Sequence, residues 1–433
     1  MEFPDRCDLQ DLLDPQPLPS FARVRYDPAT ATLDTPLETV REELGRLPLD
    51  ELEPGATVAV GLGSRGIHRI ADIAAETVAT LDERGFEPII VPAMGSHGGA
   101  TPEGQREILA ALGISEERVG APIEAAMAVE QLDEVDVGDT ATPVYFSAAA
   151  LEADAVLVIN RIKPHTNFTG RIESGCCKML AVGLGKQRGA QAFHSTALAE
   201  GYVPTIEALT AAIRDSTPLL GGLALVENFH EELGHIEAIP APELKTREPE
   251  LLERATAEMA TLPADDIDLL VVDELGKEIS GAGMDTNVIG RYRVINAPDP
   301  DEPSIDLIYA RGLTEKTKGN GNGIGLADIT RRRAIEQLDL QKVYANALTS
   351  GSLSKAKLPP VAPDDELALR IALPALGGYD PATARIVWIE NTTALAEFRV
   401  SEALAAALES DDNVTVLERE RLRFEDGTAT FDA

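Results

Sequence analysis

Three short segments of this chain carry residue types that can move protons, hold anions or form a covalent bond. The densest runs from Asn160-Arg161-Ile162-Lys163-Pro164-His165 through Gly175-Cys176-Cys177-Lys178 and Gly183-Leu184-Gly185-Lys186 to Phe193-His194. The chain has 6 His, and two of them lie here, with Lys178 placed 13 residues after His165 and 16 before His194. Lys178 is set between Cys177 and the apolar run Met179-Leu180-Ala181-Val182. Partial burial lowers a lysine pKa and suits the amine to covalent chemistry. The second segment is Gly95-Ser96-His97-Gly98-Gly99. A histidine among small residues can approach a ligand closely and exchange a proton near neutral pH, or it can simply hydrogen-bond its own loop.

The third segment, Gly61-Leu62-Gly63-Ser64-Arg65-Gly66, satisfies G-x-G-x-x-G. Three readings stand: a nicotinamide dinucleotide on a helix N-terminus, another phosphate- or carboxylate-bearing ligand, or a plain tight turn. The acid that would bind a ribose is missing, because the next strand ends at Pro92-Ala93-Met94, with Asp82 and Glu83 before it. An Arg inside the turn favours direct contact with an anion.

These segments need elements to hold them. The pattern predicts a strand over residues 56 to 62, a helix within 67 to 84 stopped by Gly85, and a strand over 87 to 93. A Gly-rich turn follows, then a helix capped by Thr101 with Pro102 at its first position, running to about Leu112. Further strands are expected at 154 to 160 and 222 to 227, with a helix at 205 to 215 between them. Residues 241 to 266, rich in Pro and acid, mark a domain boundary. Beyond it come strands at 267 to 273 and 304 to 310, the loop 319 to 325 (GNGNGIG) and a helix at 326 to 338. The expected fold is α/β: an N-terminal domain over 1–262 and a smaller C-terminal domain over 263–433, with an active-site cleft between them.

Composition bounds the function. At roughly 150 residues per domain, 433 residues that are 44% hydrophobic make two or three folded domains. The 73 acidic against 38 basic residues give a net charge of −35, the wrong sign for an unspecific nucleic-acid binder or an anionic-membrane binder. The acid is spread along the chain in short groups, as at Glu42-Glu43 and Asp364-Asp365-Glu366, which fits a halophilic protein in a salt-rich cytoplasm. Only 10 of the basic residues are Lys, and Lys163, Lys178 and Lys186 fall within 24 residues. Cys7, Cys176 and Cys177 form no disulfide framework, and the adjacent pair reads as small buried residues. No leader pattern opens the chain and no run of 18 apolar residues occurs, so a cytoplasmic location is expected.

The order of these features, an Arg-bearing turn, Ser-His after the second strand, Pro-His followed by a Gly-containing segment ending in Lys, and a later His, resembles the nickel-pincer lactate racemases, the LarA family. The likeness runs over about residues 56 to 200. It implies an isomerase that racemises or epimerises a small 2-hydroxy acid. It also implies a pyridinium-3,5-bisthiocarboxylic acid mononucleotide joined to Lys178, with nickel held by His194. By the same resemblance His97 and His165 are the two proton donors and acceptors, and Ser64 and Arg65 contact cofactor or substrate. Cofactor-biosynthesis proteins would be its partners. The chain departs from the family in three places. Leu62 stands where an acid precedes the turn Arg, Cys176-Cys177 replaces small residues, and Gly276-Lys277-Glu278 occupies the region of a substrate-binding pattern. Lys277 is a candidate partner for a substrate carboxylate. Two other functions compete: an NAD-dependent 2-hydroxyacid dehydrogenase using the first turn, and a non-enzymatic metal or cofactor carrier.

Overall fold

The computed structural model describes residues 3–295 and 297–432. Met1 and Glu2, the start of the stretch read for a leader, and Ala433, the last residue of the expected C-terminal domain, lie outside them. The chain is α/β and folds as two compact units, one of residues 30–165 and 169–259, the other of 1–29, 166–168 and 260–433. No helix among the described residues is long and apolar enough to cross a membrane.

The first strand, β1 (Ser20–Tyr26), belongs to the second of these units. The N-terminal unit holds β2 (Thr57–Leu62), β3 (Glu87–Pro92), β4 (Val129–Val137), β5 (Thr140–Ser147), β6 (Ala155–Arg161), β7 (Leu219–Glu227) and β8 (Leu233–Pro240). Its main sheet has the order β3-β2-β6-β7-β8, parallel except for β8, while β4 and β5 form a separate hairpin. Alternation along the strands sets the layers. Val58, Val60, Leu62, Leu157 and Ile159 pack against Val40 and Leu44 of α1 (Pro36–Leu44) and Ile73, Val78 and Leu81 of α2 (Ile70–Glu83). Ala59, Val156 and Val158, one residue out of phase, are buried on the opposite face. Each fully buried aliphatic side chain contributes roughly 1.5–3 kcal/mol relative to exposure.

Two helices of this unit, α2 and α3, follow the sequence signals closely. Gly85 takes a φ of 84° just after α2, a conformation that suits glycine. In α3 (Pro102–Ala111) the Thr101 hydroxyl accepts the Gly104 N–H at 3.1 Å, capping the first turn. After these come α4 (Lys186–Glu200), α5 (Tyr202–Ser216) and α6 (Leu244–Glu258). The last corrects an expectation. Much of the Pro- and acid-rich segment 241 to 266 is a helix that buries Leu244, Leu251, Leu252 and Ala255, so it is part of the N-terminal core, and the division falls after Met259.

The C-terminal unit is built on β9 (Asp266–Val272), β10 (Ser304–Ala310), β11 (Ile329–Arg331), β12 (Val361–Ala362), β13 (Ile386–Ile389), β14 (Glu397–Ser401), β15 (Val414–Glu425) and β16 (Thr428–Asp432). They form one sheet, β12-β11-β10-β9-β13-β14-β1-β15-β16, parallel from β12 to β13 and antiparallel beyond. Phe21 of β1 packs edge-on to Trp388 and Phe431, with ring centroids 6.3 and 5.3 Å away. That burial, with the pairing to β14 and β15, holds residues 1–29 in this unit, where a division at 262/263 would assign them to the other. The helix expected over 326 to 338 is also corrected: Ile329–Arg331 pair with β10 as β11, and helix begins only at Arg332. The short apolar run is taken by the sheet, whose pairing overrides its helical spacing.

Candidate active site

The order of the N-terminal sheet fixes where a ligand can sit. The chain steps from β2 outward to β3 and then returns to β6 on the other side of β2. The carboxyl ends of β2 and β6 therefore flank a topological switch point, where connecting loops diverge and leave a crevice. All three chemically suggestive segments leave strands at this end: Gly63–Gly66 after β2, Gly95–Gly99 after β3, and 162–175 after β6.

The loop after β6 is tied on itself. Lys163 and Ser174 exchange backbone hydrogen bonds of 3.0 and 3.2 Å, which close residues 164–173 into a small lobe. Inside it Glu173, 4% exposed, accepts the backbone N–H of His165 and that of Gly170. The Asn160 side chain donates to Gly175 O at 2.9 Å, and Cys177 N–H donates to the buried Glu248 carboxylate at 2.9 Å. Lys178 closes a short helical turn, Cys176–Lys178, and is followed by a π-helical turn, Met179–Gly183. Such wide turns recur at functional sites because they re-aim the side chains around them. The chain then enters α4, which carries His194.

Three of the expected residues, Arg65, Lys178 and His194, are linked by charge through Lys178. Burial first, and then the Arg65 guanidinium, push the Lys178 amine down to about 7, with Glu173 pulling the other way. Burial and then Lys178 push His194 down to about 4, so its imidazole is neutral at pH 7. Arg65 is itself lowered, by burial and then by Arg161. Arg65 and His194 both reach solvent, yet each is hemmed in by protein, and this crowding is what disfavours their charged forms. Glu173 is raised to about 7 by burial, against the pull of the His165 and Gly170 N–H groups and of Lys178. Ser64 and His97 form a second contact group, their Oγ and Nδ1 atoms 2.5 Å apart. His165 is half-buried, with its ring centroid 6.4 Å from that of Tyr202.

Lys277 lies in the C-terminal unit. Its amine donates to Gly281 O, and burial first, then the Lys277 charge, push the pKa of the buried Lys355 amine down to about 8. Lys355 donates to Thr166 O at 3.1 Å and Asn167 Oδ1 at 2.6 Å, and Thr286 Oγ1 donates to the same Thr166 carbonyl at 3.0 Å. These bonds hold residues 166–168 in that unit. Cys176 and Cys177 are fully buried, and burial followed by the Glu248 charge raises both thiols well above their usual range. Neither is a thiolate at neutral pH, and no three His, Cys, Asp or Glu side chains among the described residues form a metal-binding group.

Sequence reasoning missed Glu173, Glu248 and Lys355. Lysine scarcity was the signal that could have found Lys355, since it is one of only 10 in the chain. The two glutamates sit among 73 acids and carry no such mark.

The N-terminal unit is an open α/β sheet whose loops after β2, β3 and β6 carry Arg65, His97 and His165 at the carboxyl ends of the strands. The family described as Domain of unknown function (DUF362) matches residues 64–297, more than half of the chain, and the chain belongs to that family. Among solved structures it is similar to a Thermotoga maritima protein, at 17% identity over 86% of this chain and 99% of that one, with a TM-score of 0.53. It is similar too to the lactate racemase apoprotein of Thermoanaerobacterium thermosaccharolyticum, at 14% identity over 87% of this chain and 99% of that one, with a TM-score of 0.52. At these identities the likeness is one of fold. No curated protein matches the chain.

Proposed function

We propose that this protein is a racemase or epimerase of a small 2-hydroxy acid, of the nickel-pincer type. The observation that carries the reading is the neighbourhood of Lys178: a crowded amine brought to about 7, beside a guanidinium, a buried carboxyl and a neutral imidazole. The fold shared with a lactate racemase supports it.

The residues fit a covalently held mononucleotide with a metal. An amine with a pKa near 7 is substantially unprotonated at neutral pH and can form the bond that anchors the group at Lys178. Arg65 supplies positive charge for its phosphate or for a substrate carboxylate. A Cβ on Gly66 would meet nothing within 4 Å, so the turn leaves open space beside Arg65. His194, neutral, has a lone pair to offer nickel, and with no three-residue protein set among the described residues the remaining donors would come from the bound group. When bound, such a group supplies a hydride acceptor for the substrate's α-carbon.

The chain's own part is binding and proton transfer. Racemisation through a ketone needs a base for the hydroxyl in either orientation of the substrate, and His97 and His165 serve as that pair, one per enantiomer. One takes the hydroxyl proton of the enantiomer that binds, and the other returns a proton to the ketone oxygen as the opposite enantiomer forms. Ser64 restrains the orientation of the His97 ring through the Oγ to Nδ1 hydrogen bond. Lys277 is the proposed partner for the substrate carboxylate.

The test is intact-protein mass spectrometry after co-expression with cofactor-biosynthesis proteins, followed by α-hydrogen exchange on 2-hydroxy acids. An adduct lost in Lys178→Ala, together with exchange, is the expected result. Reversible NAD binding that tolerates Lys178→Ala would replace this reading with a dehydrogenase. Nickel binding without exchange would replace it with a carrier.

A further inference from the structure

Lys186, the last lysine of the cluster, has no part in the chemistry above. It is completely buried and takes a φ of 52°, a left-handed conformation uncommon for a residue with a side chain. Its ammonium donates to Pro92 O at 2.7 Å and to Gln105 Oε1 at 3.3 Å. Pro92 ends β3, and Gln105, also completely buried, lies in the first turn of α3. The other end of the Gln105 amide faces the loop between them: Nε2 donates to Gly95 O at 3.1 Å and to His97 O at 3.4 Å.

An ammonium only donates, so Lys186 obliges Gln105 to present its oxygen inward and both of its N–H groups to the loop. The loop has little other freedom. Gly95 N–H donates to Gly183 O at 3.0 Å, and a Cβ on Gly98 would lie 2.4 Å from the backbone of Gly104. The carbonyls flanking Ser96 are thus gripped by Gln105 while Ser64 meets the His97 ring. We propose that Lys186 and Gln105 are positioning residues for His97, a buried ammonium–amide pair that sets the direction of the His97 backbone and hence of its imidazole. The proposal deepens the reading of His97 as a proton donor and acceptor and rests on it for its effect on turnover, though not for its effect on the ring.

Gln105→Glu is the discriminating variant. It keeps the size of the side chain and the bond to Lys186, but replaces the two N–H donors with an oxygen facing the loop carbonyls. Two measurements apply: histidine ring resonances in selectively ¹⁵N-labelled protein, and racemisation kinetics of the loaded enzyme. The expected result is unchanged circular dichroism, shifted His97 ring resonances, and kcat lowered at least about 10-fold with KM changed less than about 3-fold. Lys186→Met should do the same where it folds. Folded Gln105→Glu with wild-type His97 resonances overturns the proposal, as does kcat within about 2-fold of wild type. If the wild type shows no racemisation, the resonances alone decide, and a shift then upholds the positioning role while the functional reading falls.

Discussion

Ser64 Oγ lies 2.5 Å from His97 Nδ1, so a hydroxyl from the turn after β2 holds a ring from the loop after β3. Ser64→Ala removes that restraint and leaves both loops in place. Because His97 is assigned to one enantiomer only, the loss should be uneven. Steady-state kcat/KM in the two directions is tied by the equilibrium constant, so the unevenness is read in single-turnover oxidation of each pure enantiomer by the loaded enzyme, one slowing on the order of 10-fold more than the other. Equal losses would show that Ser64 does not act through His97.

Lys178 should stand apart from an exposed lysine in competitive acylation. Its amine, brought to about 7, loses its proton as pH rises through 7, whereas an exposed lysine does so near 10.4. Between pH 6 and 8 its labelling by a small acylating reagent, followed by peptide mass spectrometry, should rise and level off.

Glu248 gives stability a pH dependence. Burial raises it from 4.5 to about 7, so the folded protein keeps a proton that the unfolded chain loses between those values. The folded state then binds more protons across that window, and stability falls as pH rises through it. Glu248→Gln lacks this term. The stability of wild type relative to the variant should drop on the order of 1–3 kcal/mol from pH 4.5 to 8, read from denaturant melts at both.

Two glycines should respond oppositely to alanine. A Cβ on Gly222 of β7 would lie 2.6 Å from Cys176 Sγ and 2.9 Å from its Cβ, inside a core with no room to give. Gly222→Ala should cost about 1–3 kcal/mol of stability. Gly66→Ala, with open space at its Cβ, should leave the thermal midpoint nearly unchanged.

The parallel strands of the N-terminal unit and its helices α2, α3 and α5 were legible because their signals are local: apolar runs bounded by Gly and Pro, and a Thr-Pro cap. What stayed hidden depends on partners far along the chain. β1 is an ordinary alternating segment until it pairs with β14 and β15, and Ile329–Arg331 reads as helix until β10 offers it an edge. At the candidate site the scarce residues, His and Lys, could be found by type and spacing. Glu173 could not, because an abundant acid becomes significant only when a loop folds over it and removes the water that would screen it. The contact between Ser64 and His97 also needed the sheet order, since 33 residues separate them.

Residues 166–168 leave one folded unit for the other directly after His165 and return at Thr169. A fragment of residues 30–259 would carry that strap without Thr286 and Lys355, its partners in the other unit. A fragment of 260–433 would lack the strand that belongs between β14 and β15. Neither body is a portable module. Domain exchange or truncation at the obvious midpoint should yield insoluble halves, and the two must be inherited, expressed and engineered as one indivisible chain.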